Sequence, residues 1–421
     1  MIAANQPVQR PLDARLLVVD AQGRLAHAPR SRLVDFLQPG DLAIANDAAT
    51  LPASLHGVHL RTGADIEVRL AARPSLAADD VQTFSAVIFG AGDFRTRTED
   101  RPLPPSLAPG DRLRIGPLLA RVEALLDHPR LVLLQFEGSP STVWEGLARH
   151  GRPIQYAHMT APLALWDVWT PIAGVPAAFE PPSASFALAW ESIRAMRNRG
   201  IRFATITLAA GISSTGDPAL DSRLPFDEPY RISEATAAAI RTARAAGGRI
   251  VAIGTTVVRA LEHAAARDGL VHAGEGVANQ RVGAASRLRI VDAILSGAHE
   301  PDSSHYQLLR AFADDAVLSR ASAALEGTGY RTHEFGDSVL IEKNDRDIRL
   351  GKRKACGKPP GTFQVQERFL PPQQPAVAAE FAVFIDHAVA GDDNGDSIQA
   401  VCAPDRALRA RHTDSAGEIF V

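Results

Sequence analysis

Apolar and polar positions fall into two textures along the chain. From about residue 59 to 150 the apolar runs are short: ADIEVRL, VQTFSAVIF, DRLRIG, LLARVEALL and RLVLLQF. Turn signals part them, such as SLAPGD (Ser106 to Asp111) and DHPR (Asp127 to Arg130). Five or six short strands at this spacing predict a small antiparallel barrel or sandwich. On either side the texture is α/β. Ser31 to Leu37 reads as a short helix, stopped by Pro39-Gly40, and Leu42 to Ala45 as a buried strand. Ser141 to Arg149 reads as a helix capped by Ser141 or Thr142. The stretch 171–184 holds Pro171, Pro176, Pro181 and Pro182, and no regular element is expected there. Phe186, Trp190 and Ile193 space out as one apolar helix face ending at Gly200. IRFATITL is a strand, Ser233 opens an Ala-rich helix to Ala246, and RIVAIG is a strand followed at once by the helix TTVVRALEHAAARDG. A strand RIVDAIL, helices from Ser303 and over Asp315 to Glu326, and a strand DSVLI follow.

Strands alternating with helices predict a parallel-rich sheet with crossover helices. The expected architecture is therefore a large α/β domain from residues 1–58 and 151–345, interrupted by an inserted small antiparallel β-barrel at 59–150. Past Asn344 the pattern fades. KRKACGKPP reads as a linker, and residues 346–421 as a linker and tail with one strand, EFAVFIDHAV.

Composition narrows the function classes. A chain of 421 residues suggests roughly two or three domains. Its two cysteines, Cys356 and Cys402, exclude a disulfide scaffold or a multi-cysteine metal centre. A net charge of −3 argues against a protein that coats nucleic acid non-specifically. Arginine carries the positive charge before Lys343, which suits planar contacts with phosphate or carboxylate. No apolar run approaches the ~20 residues of a membrane helix, and the N-terminus lacks a secretory apolar core. A cytoplasmic protein without membrane attachment is expected.

Four segments carry candidate chemistry. In RIVAIGTTVVRALEHAA a buried strand ends at Gly254, and a helix begins with Thr255 and Thr256. Backbone N–H groups and two hydroxyls there suit an anion or carboxylate, and equally a plain tight turn. The segment is neither a P-loop nor a Rossmann fingerprint. In SGAHEPDSSHYQLL, His299 and Glu300 precede the rigid Pro301, with Asp302 or Ser303 as helix cap. A His–Glu pair at a sheet edge can move protons, or can simply satisfy the loop. His299 and His305 straddle a helix start, an arrangement that does not predict a metal site. Asn46 and Asp47 follow a buried strand, where α/β proteins bind ligands and where an Asx-turn also fits. Gly336 and Asp337 read as a turn entering the last strand.

Taken in order, ND-x4-P, APGDRL, GRPIQY, VAIGTTVVRALEHAA, the HEP loop and FGDSVLI resemble the S-adenosylmethionine:tRNA ribosyltransferase-isomerases of queuosine biosynthesis. The resemblance covers about Asp41 to Lys343 and is strongest over Glu234 to Glu262 and His299 to Ile341. It implies an α/β domain split by a β-barrel. Matching positions include Asn46, Asp47, Pro52, Thr170, Pro182, Gly211, Gly254 to Thr256, Arg259, Glu262 and His299. The chain departs from the family at Ala187 and Ala209, where histidines are usual, and at Ala49 and Ser54, where arginines are usual. Val168-Trp169 stands where the family has Tyr-Gln.

The resemblance implies transfer and isomerisation of the ribosyl moiety of S-adenosylmethionine onto the aminomethyl deazaguanine of tRNA, with that molecule as co-substrate and no metal. It points to His299 as acid or base with Asp47 or Glu300 as partner. It assigns Asn46, Thr170, Gly211, Gly254, Thr255, Thr256 and Arg259 to the co-substrate. The lost histidines and arginines keep two alternatives open: sulfonium or ribosyl chemistry on a free small-molecule amine, and a non-catalytic RNA- or protein-binding relative. Monomer and homodimer are not distinguished.

Overall fold

A computed structural model describes residues 2–6, 14–301 and 303–344. The linker and tail expected at 346–421, with Cys356, Cys402 and the strand EFAVFIDHAV, lie outside the described residues, as does Asp302.

A nine-stranded sheet forms the body. Its order is Gly274–Ala278, Glu228–Ile232, Arg202–Leu208, Leu42–Asn46, Ile250–Ile253, Ala293–Gly297, Ser338–Glu342, Arg15–Val19 and Leu25–Pro29. Leu42–Asn46 runs parallel to both of its neighbours. All five of its residues are buried, as expected of a central strand covered on both faces. Antiparallel pairs at Glu228–Ile232 and at Ser338–Glu342 make the sheet mixed and parallel-rich. The helices Glu234–Ala245 and Thr255–Ala264 follow strands as crossovers and turn Ala237, Ile240, Val257, Val258 and Leu261 into the core.

Six antiparallel strands close into a barrel in the order Leu118–His128, Leu131–Phe136, Thr83–Phe89, Ala64–Ala72, Ser54–His59 and Arg112–Ile115. Alternation along these strands turns Val68, Leu70, Phe84, Ala86 and Leu134 inward. Closure leaves no unpaired sheet edge. A charged network is buried in the barrel. Glu67 accepts from Arg69 Nε at 2.8 Å and Ser54 Oγ at 2.7 Å, and pairs with Arg101. The barrel core continues into the α/β core as one apolar cluster. Phe84 meets Phe179 edge to face, with ring centroids 6.1 Å apart.

Several local expectations are corrected. The short helix near Ser31 is a 3-10 turn over Arg30–Phe36. Ser139, not Ser141 or Thr142, caps the helix Pro140–His150 by accepting from the Thr142 N–H. The proline-rich stretch does contain a strand, Val175–Ala178, paired in parallel with Ala48–Thr50 in a separate two-stranded sheet. Pro176 is tolerated there because neither strand has a second partner in that sheet. Phe186 and Trp190 do not share a helix face. Phe186 sits in a 3-10 turn over Ser183–Ala187, and Trp190 starts the helix Trp190–Asn198 with its side chain exposed. The strand expected over RIVDAIL starts only at Ala293.

Candidate active site

The strand Ile250–Ile253 ends at Gly254, whose φ of +101° only glycine adopts without strain. The helix Thr255–Ala264 starts there with no side chain capping it. Its first N–H groups therefore face outward at the positive end of the helix. Thr256 Oγ1 is buried and, among the described residues, has no hydrogen-bond partner. A buried hydroxyl without a partner is costly unless something outside the chain satisfies it.

The turn opens on a cavity of about 310 Å³. Glu180, Gly211, Glu228, Gly254, Thr255, Thr256, Arg259, His299 and His305 are among the groups lining it. His299 follows the strand Ala293–Gly297, and His305 stands in the first turn of the helix Ser304–Leu309. Ser303 caps that helix by accepting from the Tyr306 N–H. Burial pushes the His299 imidazole well below the ordinary histidine range, and the neighbouring His305 and His333 add to the shift. His305 is pushed down for the same first reason. Both rings are therefore neutral near pH 7.

Glu180 is one of the carboxylates lining the cavity. It is only 7% exposed, and Tyr156 donates a short hydrogen bond to it. Burial raises its carboxyl to about 7, helped by the nearby Glu334. A carboxyl that shares its proton near neutral pH is equipped for acid–base work.

The expected site residues divide into two groups. Gly211, Gly254, Thr255, Thr256, Arg259 and His299 meet in the cavity lining. Arg259 is committed to the protein there. It pairs with buried Glu228 and donates to Ala278 O at 2.7 Å, Gln280 O at 3.3 Å and Phe226 O at 3.3 Å. The Gly211 N–H donates to the other Glu228 oxygen at 3.0 Å. These contacts build the wall of the cavity.

Asn46, Asp47, Thr170 and Glu300 are not part of the lining. Asn46 is buried and clamps Leu208, donating to its carbonyl and accepting from its N–H, each at 2.9 Å. Asp47 accepts from Thr207 Oγ1 at 2.7 Å, and burial raises its carboxyl. Thr170 is buried with its hydroxyl unpartnered among the described residues. Glu300 is exposed. Glu262 accepts the N–H groups of Arg289, Ile290 and Val291 and so holds a loop.

Sequence reasoning did not reach Glu180. Its one signal was a carboxylate set between Phe179 and Pro181 in a stretch that is otherwise apolar and proline-rich.

The model of the family described as "Queuosine biosynthesis protein" matches residues 1–341. The chain belongs to that family. A relative from Sorangium cellulosum, named S-adenosylmethionine:tRNA ribosyltransferase-isomerase, is 34% identical over 375 residues, covering 82% of this chain and 96% of the relative. One of the same name from Moorella thermoacetica is 31% identical over 358 residues, covering 80% and 95%. The crystal structure of an S-adenosylmethionine tRNA ribosyltransferase from Thermotoga maritima aligns at a TM-score of 0.43 and 23% identity, covering 81% of this chain and 96% of that one. The imidazoles lining the cavity are His299 and His305, whereas Ala187 and Ala209 are not part of its lining.

Proposed function

We propose that the chain transfers the ribosyl part of S-adenosylmethionine to the aminomethyl group of a deazaguanine in tRNA and isomerises it to an epoxy-cyclopentanediol. Family membership supports this reading, and one observation carries it: the Gly254–Thr256 turn, His299 and Glu180 open on a single cavity. The co-substrate supplies a sulfonium that acidifies the adjacent carbon, so the site needs a base there, a proton donor for departing adenine, and a holder for the amino-acid end.

His299 is the base in this proposal, because burial keeps its imidazole neutral. Glu180 is the proton donor, because its carboxyl stays partly protonated up to about pH 7. The N–H groups at Thr255 and Thr256 and the free Thr256 hydroxyl receive the methionyl carboxylate. Tyr156 fixes the Glu180 carboxyl through its hydroxyl. His305 takes the place at His299 for which Asp47 and Glu300 were candidates. No step calls on a metal.

On this reading residues 1–58 and 151–345 form the reacting domain, 59–150 the insertion, and the work is done in the cytoplasm. The acceptor is tRNA, following the names of the relatives. No helix among the described residues is long and apolar enough to cross a membrane.

The test is to incubate the protein with S-adenosylmethionine and tRNA bearing the aminomethyl deazaguanine, and to follow adenine release. Adenine and a modified tRNA are expected. Adenine released only with a free amine would reassign the acceptor. No adenine with any acceptor, and no heat of binding with S-adenosylmethionine, would sink the proposal.

A further inference from the structure

Behind the cavity lies a second polar cluster that the proposed reaction does not use. His158 stands in a turn within the segment leading away from the barrel, between Gln155 and Thr160. His333 and Glu334 stand in the turn between the strands Arg331–Thr332 and Ser338–Glu342. One ligand atom from each of the three side chains lies within 4.8 Å of the others. All three are half-buried, so a bound ion would keep access to solvent.

Two further observations point to a missing partner. His158 Nε2 is buried and lies 3.3 Å from a Glu334 oxygen, yet it makes no well-directed hydrogen bond. His333 has φ +69°, a conformation that side chains other than glycine rarely adopt. Strain of this kind persists where the surroundings hold a residue for a purpose. Here it points the ring of His333 at the ring of His158, with centroids 4.2 Å apart.

We propose that His158, His333 and Glu334 bind a divalent first-row transition-metal ion, with zinc as the reference ion. Two imidazoles and one carboxylate form a mixed nitrogen and oxygen set that suits zinc and leaves a fourth position for solvent. Tetrahedral ligation at about 2.0–2.1 Å requires donor atoms roughly 3.3–3.5 Å apart. The His158–Glu334 pair already meets that spacing. The imidazole of His333, whose ligand atom lies within 4.8 Å of the other two, must turn out of its stack to complete it. The ion would fasten the 155–160 segment to the 333–334 turn, two stretches more than 170 residues apart in the chain. This is a brace beside the cavity, and its test by metal uptake does not depend on the reaction proposed above.

The full-length protein, stripped of metal by a chelator, is titrated with Zn²⁺ by calorimetry and with Co²⁺ by visible absorption. We expect one equivalent of Zn²⁺, tetrahedral-type Co²⁺ bands, and a melting temperature raised by zinc. His158→Ala, His333→Ala and Glu334→Gln should each weaken binding by about tenfold or more and abolish the thermal shift. Glu334→Gln keeps the shape of the side chain, so it reports on ligation even if a histidine variant misfolds. Failure of the folded parent to take up stoichiometric zinc overturns the proposal. So does undiminished binding in folded Glu334→Gln and His333→Ala, which would place the ion on other residues.

Discussion

His299 and His305 stack face to face, with ring centroids 4.4 Å apart and planes 8° from parallel. Two imidazolium ions could not share that contact, because like charges this close repel strongly in a buried site. The pair is therefore held neutral. A histidine whose folded pKa is lowered binds fewer protons folded than unfolded, so the protein loses stability as pH falls below about 6.5. Denaturation midpoints measured from pH 7.5 down to 5 should fall. His299→Asn, which cannot take up the proton, should flatten that fall. The same variant should lose on the order of 10²-fold or more in adenine release; an unchanged rate would remove His299 as the base.

Glu180 sets the opposite limb. With its carboxyl raised to about 7, a reaction that needs the protonated form declines as pH passes through that value. The pH profile of kcat/KM should show a descending limb near 7, and Glu180→Gln should remove the limb together with on the order of 10²-fold of the rate. The sign for stability is also fixed. A raised carboxyl binds its proton more tightly in the folded state, so its contribution is lost as pH rises from about 4.3 through 7. A limb that persists in Glu180→Gln would assign the titration elsewhere.

Thr256 should act on binding more than on turnover. Replacing it by Val keeps the volume and removes the free hydroxyl. The expected cost is about 1 to 1.5 kcal/mol, roughly tenfold in affinity for S-adenosylmethionine. Calorimetry would read this directly. A variant that binds as tightly as the parent would mean that the hydroxyl does not meet the co-substrate.

In the barrel, Glu67 is shared by Arg69 and Arg101, all three nearly sealed from solvent. The carboxyl is held down to about 2, against the cost of burial, by those two guanidinium groups. Glu67→Gln would strand two buried cations and should cost about 3–5 kcal/mol. Chemical denaturation of the parent and the variant measures it. The parent's contribution from Glu67 is present above about pH 4.3 and fades as pH falls toward 2.

The legible parts were those in which sequence neighbours do the work. The strand ending at Gly254 and the helix starting at Thr255 are contiguous, so period, glycine and hydroxyls announce the turn together. The barrel was legible because each strand alternates and each turn carries its own residues. Asp47 was placed well along the chain, at a strand end, but its carboxylate turns to Thr207, a pairing decided by a strand 160 residues later. Glu180 and Tyr156 meet across 24 residues and a chain reversal, and no local period encodes that. The strand Val175–Ala178 was hidden by its prolines, since their usual meaning fails where a strand needs only one partner. Trp190 misled because an aromatic at helical spacing suggests a core face, and here it stays on the surface.

Phe179 wedges its ring against Phe84 of the barrel, and the next residue along the backbone is Glu180. The proposed proton donor is thus one peptide away from an anchor set in the neighbouring fold. Loosening of the barrel wall, by warmth or by a smaller side chain at 84, would be felt first as a misaimed carboxyl rather than as a melted enzyme. Catalytic output should therefore decline at temperatures where the helices are still intact.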